Sequence, residues 1–281
     1  MASILPAFAN IVAPGNYQVP NGQLQIDWTQ SLANGLVGCY LPGVTMAEIT
    51  GIGPTLAFVS GTGLQTSMSN EGPGVNYTIT NGGGLLGSPI GNSFITQNAF
   101  TLFWRGLLLA TSGFSGFASL VGVNYSQPNA NPFNLWSLGL GSAGGPSLGI
   151  AWNHGGSQLA WNSGSASPLT ANLSLGMHDY AATFTVGTSG LVIAFVDGAL
   201  WQTNPVNFGA GQPTSTATSY INVGLDKGAV TNIACLWNRN LSTAEIMQMH
   251  LAPYSFLIPA DTDMPSQAIV VPPILMPQIV T

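Results

Sequence analysis

Apolar residues in this chain recur in short runs that are separated by Gly, Pro, Ser, Thr and Asn. The runs have the length and alternation of β-strands, and together they predict about ten to fourteen strands. A chain with many short strands and frequent turns is predicted to fold as an all-β sandwich of two antiparallel sheets, of the jelly-roll kind. The clearest runs are 34–43, 99–110, 117–123, 178–186, 191–203, 220–226 and 231–239.

Two turns are predicted to join neighbouring strands. Asp197-Gly198 lies between two apolar runs, and Asp-Gly in that setting is the strongest short signal for a β-hairpin. The segment 106–123 is uncharged over a membrane-like length, but its Gly and Ser content and the turn residues at 111–113 favour two buried strands joined by a second hairpin.

One short helix is predicted near the end of the chain. Ser242 is followed three residues later by Glu245, which is the spacing of a capping box. Leu241 and Ile246 flank the cap at the positions of a hydrophobic staple, and Pro253 is expected to end the helix. We expect this helix to close one end of the sandwich.

Charge is scarce. Charged residues make up 4% of the 281 residues, where about 25% is usual, and the formal net charge is −6. The three cations are Arg105, Lys227 and Arg239, too few to neutralise many phosphates, so we expect no nucleic-acid partner. An acidic chain gains nothing from an anionic membrane surface, so no membrane partner is expected either. An uncharged polar surface suits a protein packed among neighbours or one in a harsh extracellular environment, and ordinary secreted β-proteins can also have one.

The two ends of the chain differ from the middle. Residues 1–25 carry no charge and several prolines, so we interpret them as an extended arm or a strand that docks elsewhere. They lack the basic and apolar regions of a signal peptide, so no cleaved signal peptide is expected. Residues 26–257 are predicted to form the sandwich. Residues 258–281 form a proline-spaced apolar arm that must dock on its own domain or on a neighbouring subunit. The predicted assembly interface consists of Ile269, Val270, Val271, Ile274, Leu275 and Met276.

Catalytic and metal-binding patterns are absent from the sequence, so no cofactor and no metal are predicted. The acids are isolated along the chain, except for Asp261 and Asp263 in the exit arm, and a hydrolase would need scattered acids to converge. His178 is expected to be a hydrogen-bonded histidine at a strand end, and His250 to lie near the last carbonyls of the helix. Cys39 and Cys235 have no metal or redox spacing and are predicted to be reduced and buried.

A metal-free glycan site is a further possibility. Aromatic platforms next to polar side chains bind sugars, and Trp152, His154 and Trp161 are the candidates for such a site, with Trp201 as an additional aromatic residue. The alternative is that these tryptophans pack in the core or cover a sheet edge, as they often do in sandwiches.

Three segments resemble laminin-G-like domains of the concanavalin A-like lectin/glucanase superfamily, in the form found in tailed bacteriophages and prophages. They are IDWTQSLANGLVGCYLPG at 26–43, HDYAATFTVGTSGLVIAFVDGALW at 178–201 and TNIACLWNRNLSTAEIMQMHLAPYSFL at 231–257. The resemblance covers about residues 26–257 and implies a concanavalin A-like sandwich. Asn232 stands where many relatives carry an acid, and this departure puts a calcium site in doubt.

The resemblance, the scarce charge and the two arms lead to one expectation for function. We expect a non-enzymatic virion structural protein that decorates or cements the outside of a capsid and docks through its arms. Its partners would be the major capsid protein or neighbouring copies in a homo-oligomer. The alternatives are a receptor-binding lectin of a tail fibre or spike that binds host glycans and, third, a glycan hydrolase.

Overall fold

The computed structural model describes residues 23–45, 47–58, 64–69, 71–77, 85–87, 99–109, 117–124, 134–141, 147–154, 157–161, 174–206, 220–224 and 229–260. These residues form seventeen strands, a short 3-10 helix at Ser31–Ala33 and one α-helix. In chain order the elements are β1 Leu24–Ile26, β2 Leu36–Tyr40, β3 Leu56–Phe58, β4 Leu64–Ser69, β5 Gly72–Tyr77, β6 Leu85–Gly87, β7 Ala99–Leu108, β8 Phe117–Asn124, β9 Asn134–Gly141, β10 Ser147–His154, β11 Ser157–Trp161, β12 Gly176–Thr185, β13 Gly190–Val196, β14 Ala199–Val206, β15 Tyr220–Val223, β16 Ala229–Trp237, α1 Thr243–Leu251 and β17 Leu257–Pro259.

The strands form two large antiparallel sheets, so the predicted all-β sandwich with one short helix is confirmed. The eight-stranded sheet has the order β14-β13-β12-β7-β16-β5-β4, with β2 also paired to β16. The seven-stranded sheet has the order β11-β10-β9-β8-β15-β6-β3. Strands β1 and β17 form a separate antiparallel pair.

Two details of the sequence prediction are wrong. The described residues contain more strands than predicted, because β1, β6 and β17 are only three residues long and show no alternation that a pattern can reveal. Strands β7 and β8 were predicted to form a hairpin, but they lie in different sheets. Apolar runs report burial, and they do not report which strand is the partner.

The main core lies between the two sheets. Alternate residues of β7, such as Leu102 and Trp104, face the seven-stranded sheet and are fully buried. The Trp104 ring stacks on Tyr180 of β12 with centroids 5.5 Å apart, and Phe100 stacks on Phe184 at 4.5 Å. Such pairs add to the free energy gained from the burial itself.

A second core lies on the opposite face of the eight-stranded sheet. Phe103 of β7 and Trp237 of β16 face this side and pack with Ile246 and Met249 of α1. All nine residues of β16 are therefore buried, because both faces of the strand are covered. The helix was expected to close one end of the sandwich. Its apolar side instead covers the outer face of this sheet, because that face carries apolar side chains that would otherwise be exposed to water.

Local signals position the helix and the hairpin as predicted. Ser242 caps α1 and forms a capping box with Glu245, and the helix ends at Leu251, two residues before Pro253. Strands β13 and β14 pair through the Asp197-Gly198 turn, in which both residues have positive φ, 49° and 73°. Positive φ at both central positions is the signature of the type I′ turn that suits a hairpin.

Candidate functional site

Four of the twelve charged residues of this chain converge with two histidines on the outer face of the eight-stranded sheet. Six residues, which we call the charge network, meet where β7 and β12 pass beneath the end of α1. Within the described residues they include one arginine, three carboxylates and two histidines. They are Glu71, Arg105, His178, Asp179, Asp197 and His250.

Arg105 is the centre of the network. It lies in β7 directly opposite Asp179 of β12, and its guanidinium donates to Asp179 Oδ2 at 2.6 Å. It also donates to Glu71 Oε1 at 2.6 Å, and its Nε lies 3.0 Å from Glu71 Oε2. Arg105 and Glu71 are each 4% exposed and Asp179 is 1% exposed. Such buried charges are tolerated only when they are paired and hydrogen-bonded.

The network fastens the helix to the sheet. His250, in the last turn of α1, has Nδ1 2.6 Å from Asp179 Oδ2, while Arg105 donates to the His250 carbonyl oxygen at 3.3 Å. Tyr254, just beyond the helix, donates from its hydroxyl to Glu71 Oε2 at 3.3 Å. A cation next to the C-terminal carbonyls of a helix also interacts favourably with the helix dipole.

The Asp197-Gly198 turn closes the network on the other side. Asp197 Oδ1 accepts from the Asp179 N–H at 3.0 Å, and Asp179 Oδ1 accepts from the Gly198 N–H at 3.0 Å. Asp197 Oδ2 lies 2.9 Å from His178 Nδ1, and the other ring nitrogen of His178 lies 2.9 Å from the Ser174 carbonyl oxygen. Acceptors at both ring nitrogens favour the doubly protonated imidazolium.

Hydrogen bonding raises the pKa of both histidines. The hydrogen bond to Asp197 raises the pKa of His178, and the hydrogen bond to Asp179 raises the pKa of His250; burial opposes both shifts. For Asp197, burial acts to raise the pKa, but the hydrogen bonds from His178 and the Asp179 amide prevail, and the pKa is lowered. With both imidazoles protonated, the network carries as many positive as negative charges.

A metal ion does not fit this donor set. Asp179, Asp197 and His250 present ligand atoms within 4.8 Å of one another. However, Asp179 Oδ2 already accepts from Arg105 and His250, and the remaining oxygens of both aspartates accept from backbone or imidazole donors. A divalent cation would displace these donors and face the Arg105 guanidinium. The arrangement is that of an internal ion network.

A second ion pair supports the start of the helix. Arg239 donates to both oxygens of Glu245, at 2.6 and 3.0 Å, and to the carbonyl oxygens of Asn34 and Ser31. The hydrogen bonds from Arg239 are the main cause that lowers the pKa of Glu245 to about 2. Arg239, Ser242 and Glu245 therefore act together to hold the start of α1 in place.

The residues predicted for glycan binding lie in neighbouring strands. Trp152 and His154 belong to β10 and Trp161 to β11, and the register pairs Trp152 with Leu159 and Ile150 with Trp161. Alternation then places positions 152, 154 and 161 on one face of the sheet. Their side chains are outside the described part of the structure, so the glycan assignment stays a prediction. The predicted assembly residues, Ile269 to Val271 and Ile274 to Met276, also lie outside the described residues.

Sequence reasoning missed the convergence of the acids. The predicted hairpin was one available signal, because its pairing of Tyr180 with Val196 brings Asp197 to Asp179. No comparable signal linked Arg105 to Glu71. Asn232, noted as a departure from an acid, is fully buried and donates to Ser69 Oγ at 2.9 Å, which holds β16 to the end of β4.

No family model and no curated protein matches the sequence. Solved structures do resemble the fold. The Trypanosoma rangeli sialidase shares 18% identity and a TM-score of 0.50, over 79% of this chain and 33% of that chain. Domain 4 of AbnA, a GH43 extracellular arabinanase from Geobacillus stearothermophilus in complex with arabinotriose, shares 11% identity and a TM-score of 0.51, over 76% of this chain and 98% of that chain.

The binding domain of botulinum neurotoxin DC in complex with SialylT is also similar, with 12% identity and a TM-score of 0.51, over 78% of this chain and 52% of that chain. The chain therefore spans about one third of the sialidase and about half of the toxin domain. At these identities the likeness establishes a common β-sandwich fold. Among the described residues, no helix has the length and apolar character needed to cross a membrane.

Proposed function

We propose that this protein is a non-enzymatic structural component of a bacteriophage virion, which decorates the outside of the capsid and is held there by its two terminal arms. The observation that carries the proposal is the pairing of the first and last described strands. Strands β1 and β17 pair with Leu24 opposite Pro259, and the Ala260 N–H donates to the Gln23 carbonyl oxygen at 2.8 Å.

The segments that precede Gln23 and follow Ala260 are therefore attached to the domain at adjacent points. Residues 1–22 contain no charged side chain, and neither do residues 264–281. After Asp261 and Asp263, the second segment is uncharged as well. Two apolar segments attached at adjacent points of one domain favour a single attachment site on a larger assembly, because each would be an aggregation hazard if it stayed in water. The resemblance to phage laminin-G-like domains supplies the kind of assembly.

Charge supports an outward position. Of the three cations, Arg105 and Arg239 form ion pairs within the fold, and Lys227 lies outside the described residues. With a net charge of −6, a surface of this protein would be repelled by packaged DNA. On the outer face of a capsid the protein would not contact the packaged DNA, so its negative charge would be tolerated there.

The charge network supports a non-enzymatic role. A general acid or base must reach substrate, but Asp179 and Glu71 are buried and every described carboxylate oxygen of Asp179 and Asp197 already accepts a hydrogen bond. The network is arranged to hold α1 on the sheet.

The proposal is tested by counting copies of the protein per particle. Chains covering residues 1–260, 23–281 and 23–260 would be introduced into the phage genome that encodes the protein, and purified particles would be quantified against the full chain. Ending at Ala260 keeps β17 intact. We expect folded truncated proteins that no longer join the particle. Full copy number for residues 23–260, or absence of the full chain from purified particles, would overturn the proposal.

Glycan binding is the second candidate. It is favoured by the likeness to domain 4 of AbnA, which is matched over 98% of its length and whose structure contains arabinotriose. Among described side chains, Trp28 and Trp201 are 55% and 40% exposed and offer aromatic surface. A glycan array screen of the full chain, with Trp152→Ala, Trp161→Ala, Trp201→Ala and Trp28→Ala as comparison variants, tests this candidate. Binding that depends on one of these tryptophans would support it, and no binding to any glycan would reject it.

A further inference from the structure

Cys39 and Cys235 lie directly opposite each other where β2 pairs with β16. Their sulfur atoms are 3.8 Å apart, both thiols are free, and both side chains are fully buried in the second core. We propose that this pair is a site of disulfide formation. The disulfide covalently links β2 to β16 when the protein folds in an oxidising environment, or when β2 opens locally in one.

The hydrogen bonds of Cys39 define the type of strand pair. Its N–H donates to the Glu48 carboxylate at 2.8 Å, and its carbonyl oxygen accepts from the Ile49 N–H at 3.0 Å. Both peptide groups of Cys39 therefore point away from β16. In an antiparallel ladder this makes Cys39 and Cys235 a non-hydrogen-bonded pair, in which the Cα atoms are about 4.5 Å apart and the side chains are closest.

That geometry suits a disulfide. Disulfides join residues whose Cα atoms are about 4.4–6.8 Å apart, and the non-hydrogen-bonded pair falls within this range. The sulfur atoms are already in contact, so the folded strands can hold the finished bond after side-chain rotation alone. Strand β2 is held in register by its pairing with β16 and by the Glu48 turn, which fixes the two Cβ atoms.

Burial decides when the bond forms. The thiolate is the reactive form of cysteine, and burial raises the pKa of the Cys235 thiol, so the folded protein reacts slowly. The reaction needs a disulfide oxidant such as oxidised glutathione and an opened or unfolded β2. One cysteine thiolate attacks the oxidant and releases one glutathione. The second cysteine thiolate then attacks the mixed disulfide and releases the other glutathione, which leaves the protein disulfide and two reduced glutathiones.

The bond would join residues 196 positions apart in the sequence. Closing so long a loop restricts the unfolded chain strongly, and the stabilisation grows with loop length. We expect the melting temperature of the oxidised protein to exceed that of the reduced protein by about 5–10 °C.

The test refolds the full chain in parallel with oxidised glutathione and with dithiothreitol. Free thiols are counted after denaturation, the disulfide-linked peptides are identified by mass spectrometry, and the melting temperatures are compared. Cys39→Ala and Cys235→Ala serve as matched controls, because neither can form the bond and neither should show the oxidative rise in melting temperature.

A linked peptide containing Cys39 and Cys235, with no free thiol and the expected rise, would support the proposal. Two free thiols after oxidative refolding, a disulfide between separate chains, or an oxidised monomer that melts below the reduced one would overturn it. The peptide map is made on the unaltered chain, so it decides the question even if an alanine variant fails to fold.

Discussion

Arg105 is the residue on which the buried charges depend. It pairs with Glu71 and Asp179 and also contacts the last turn of α1 through the His250 carbonyl oxygen. Removing one member of a buried ion pair is costly, because the partner stays buried without compensation. Arg239 also forms an ion pair with a glutamate, but side-chain exposure there is 25% and 20%, so water can replace part of the lost interaction.

We expect Arg105→Met to lower the free energy of unfolding by about 3–5 kcal/mol, because Glu71 and Asp179 lose their common cation. Arg239→Met is the matched control and should cost clearly less. Urea denaturation of the two variants and the parent measures both values. Equal losses in the two variants would show that burial of the Arg105 pair is unimportant.

The histidines give stability a defined dependence on pH. The pKa values of His178 and His250 are raised in the folded protein, so their contribution is complete below the unfolded value of about 6.5 and is lost as pH rises through the folded values. The pKa of Glu245 is lowered to about 2, so its contribution is complete above its ordinary value of 4.5 and is lost as pH falls.

The melting temperature should therefore be highest between about pH 5 and 6.5, and it should decline on both sides. Calorimetry of the parent and of a His178→Asn, His250→Asn double variant measures this profile. The variant should lose the decline on the alkaline side and keep the decline on the acid side. An unchanged alkaline slope in the variant would mean that other groups cause it.

At the scale of elements, the β13–β14 turn and helix α1 position each other. A Cβ atom at Gly198 would lie 2.6 Å from His250 Cβ, so the turn and the helix touch at a point where only glycine fits. Gly198 also has a φ of 73°, which the turn requires. Gly51 has the same φ of 73°, but nothing lies within 4 Å of a Cβ atom there.

Substituting these two glycines distinguishes the cost of backbone strain from the cost of a steric clash, because both have the same φ and only Gly198 is in close contact. Gly51→Ala should cost about 1–2 kcal/mol, the penalty for a left-handed alanine. Gly198→Ala should cost at least about 1 kcal/mol more, because the added methyl group also pushes α1 away from the sheet. Chemical denaturation measures both. Similar losses at the two sites would indicate that the turn and the helix do not pack as closely as described.

At the scale of the whole molecule, the eight-stranded sheet serves two cores. The seven-stranded sheet covers one face, while α1 and the segment that follows it cover the other. Phe256 and Leu257 belong to the second core, and β17, which begins at Leu257, pairs with β1. The segment 254–260 is therefore part of the folded domain.

Residues 23–260 should fold without the arms, with a melting temperature within about 3 °C of the full chain, because both described cores remain complete. A chain of residues 23–253 should be far less stable, since loss of one buried phenylalanine already costs about 3–5 kcal/mol. Circular dichroism melts of the three proteins test this expectation. Equal stability of residues 23–253 and 23–260 would contradict the described second core.

The sequence by itself determined the local features. Ser242 with Glu245 predicted the capped helix, Asp197-Gly198 predicted the hairpin turn, and the alternating runs predicted an all-β sandwich. Each of these depends on residues close together in the chain, where backbone preferences and short-range hydrogen bonds act directly. The glycan and arm residues were also chosen from the sequence, and they stay predictions.

Only the tertiary structure decided which distant residues meet. Arg105 is 34 residues from Glu71 and 74 from Asp179, and its contact with His250 spans 145 positions. The same holds for the opposed pair Cys39 and Cys235, and for the placement of β7 and β8 in different sheets. An apolar run shows that a strand is buried, but its partner is selected by packing against the rest of the chain, which no local pattern records.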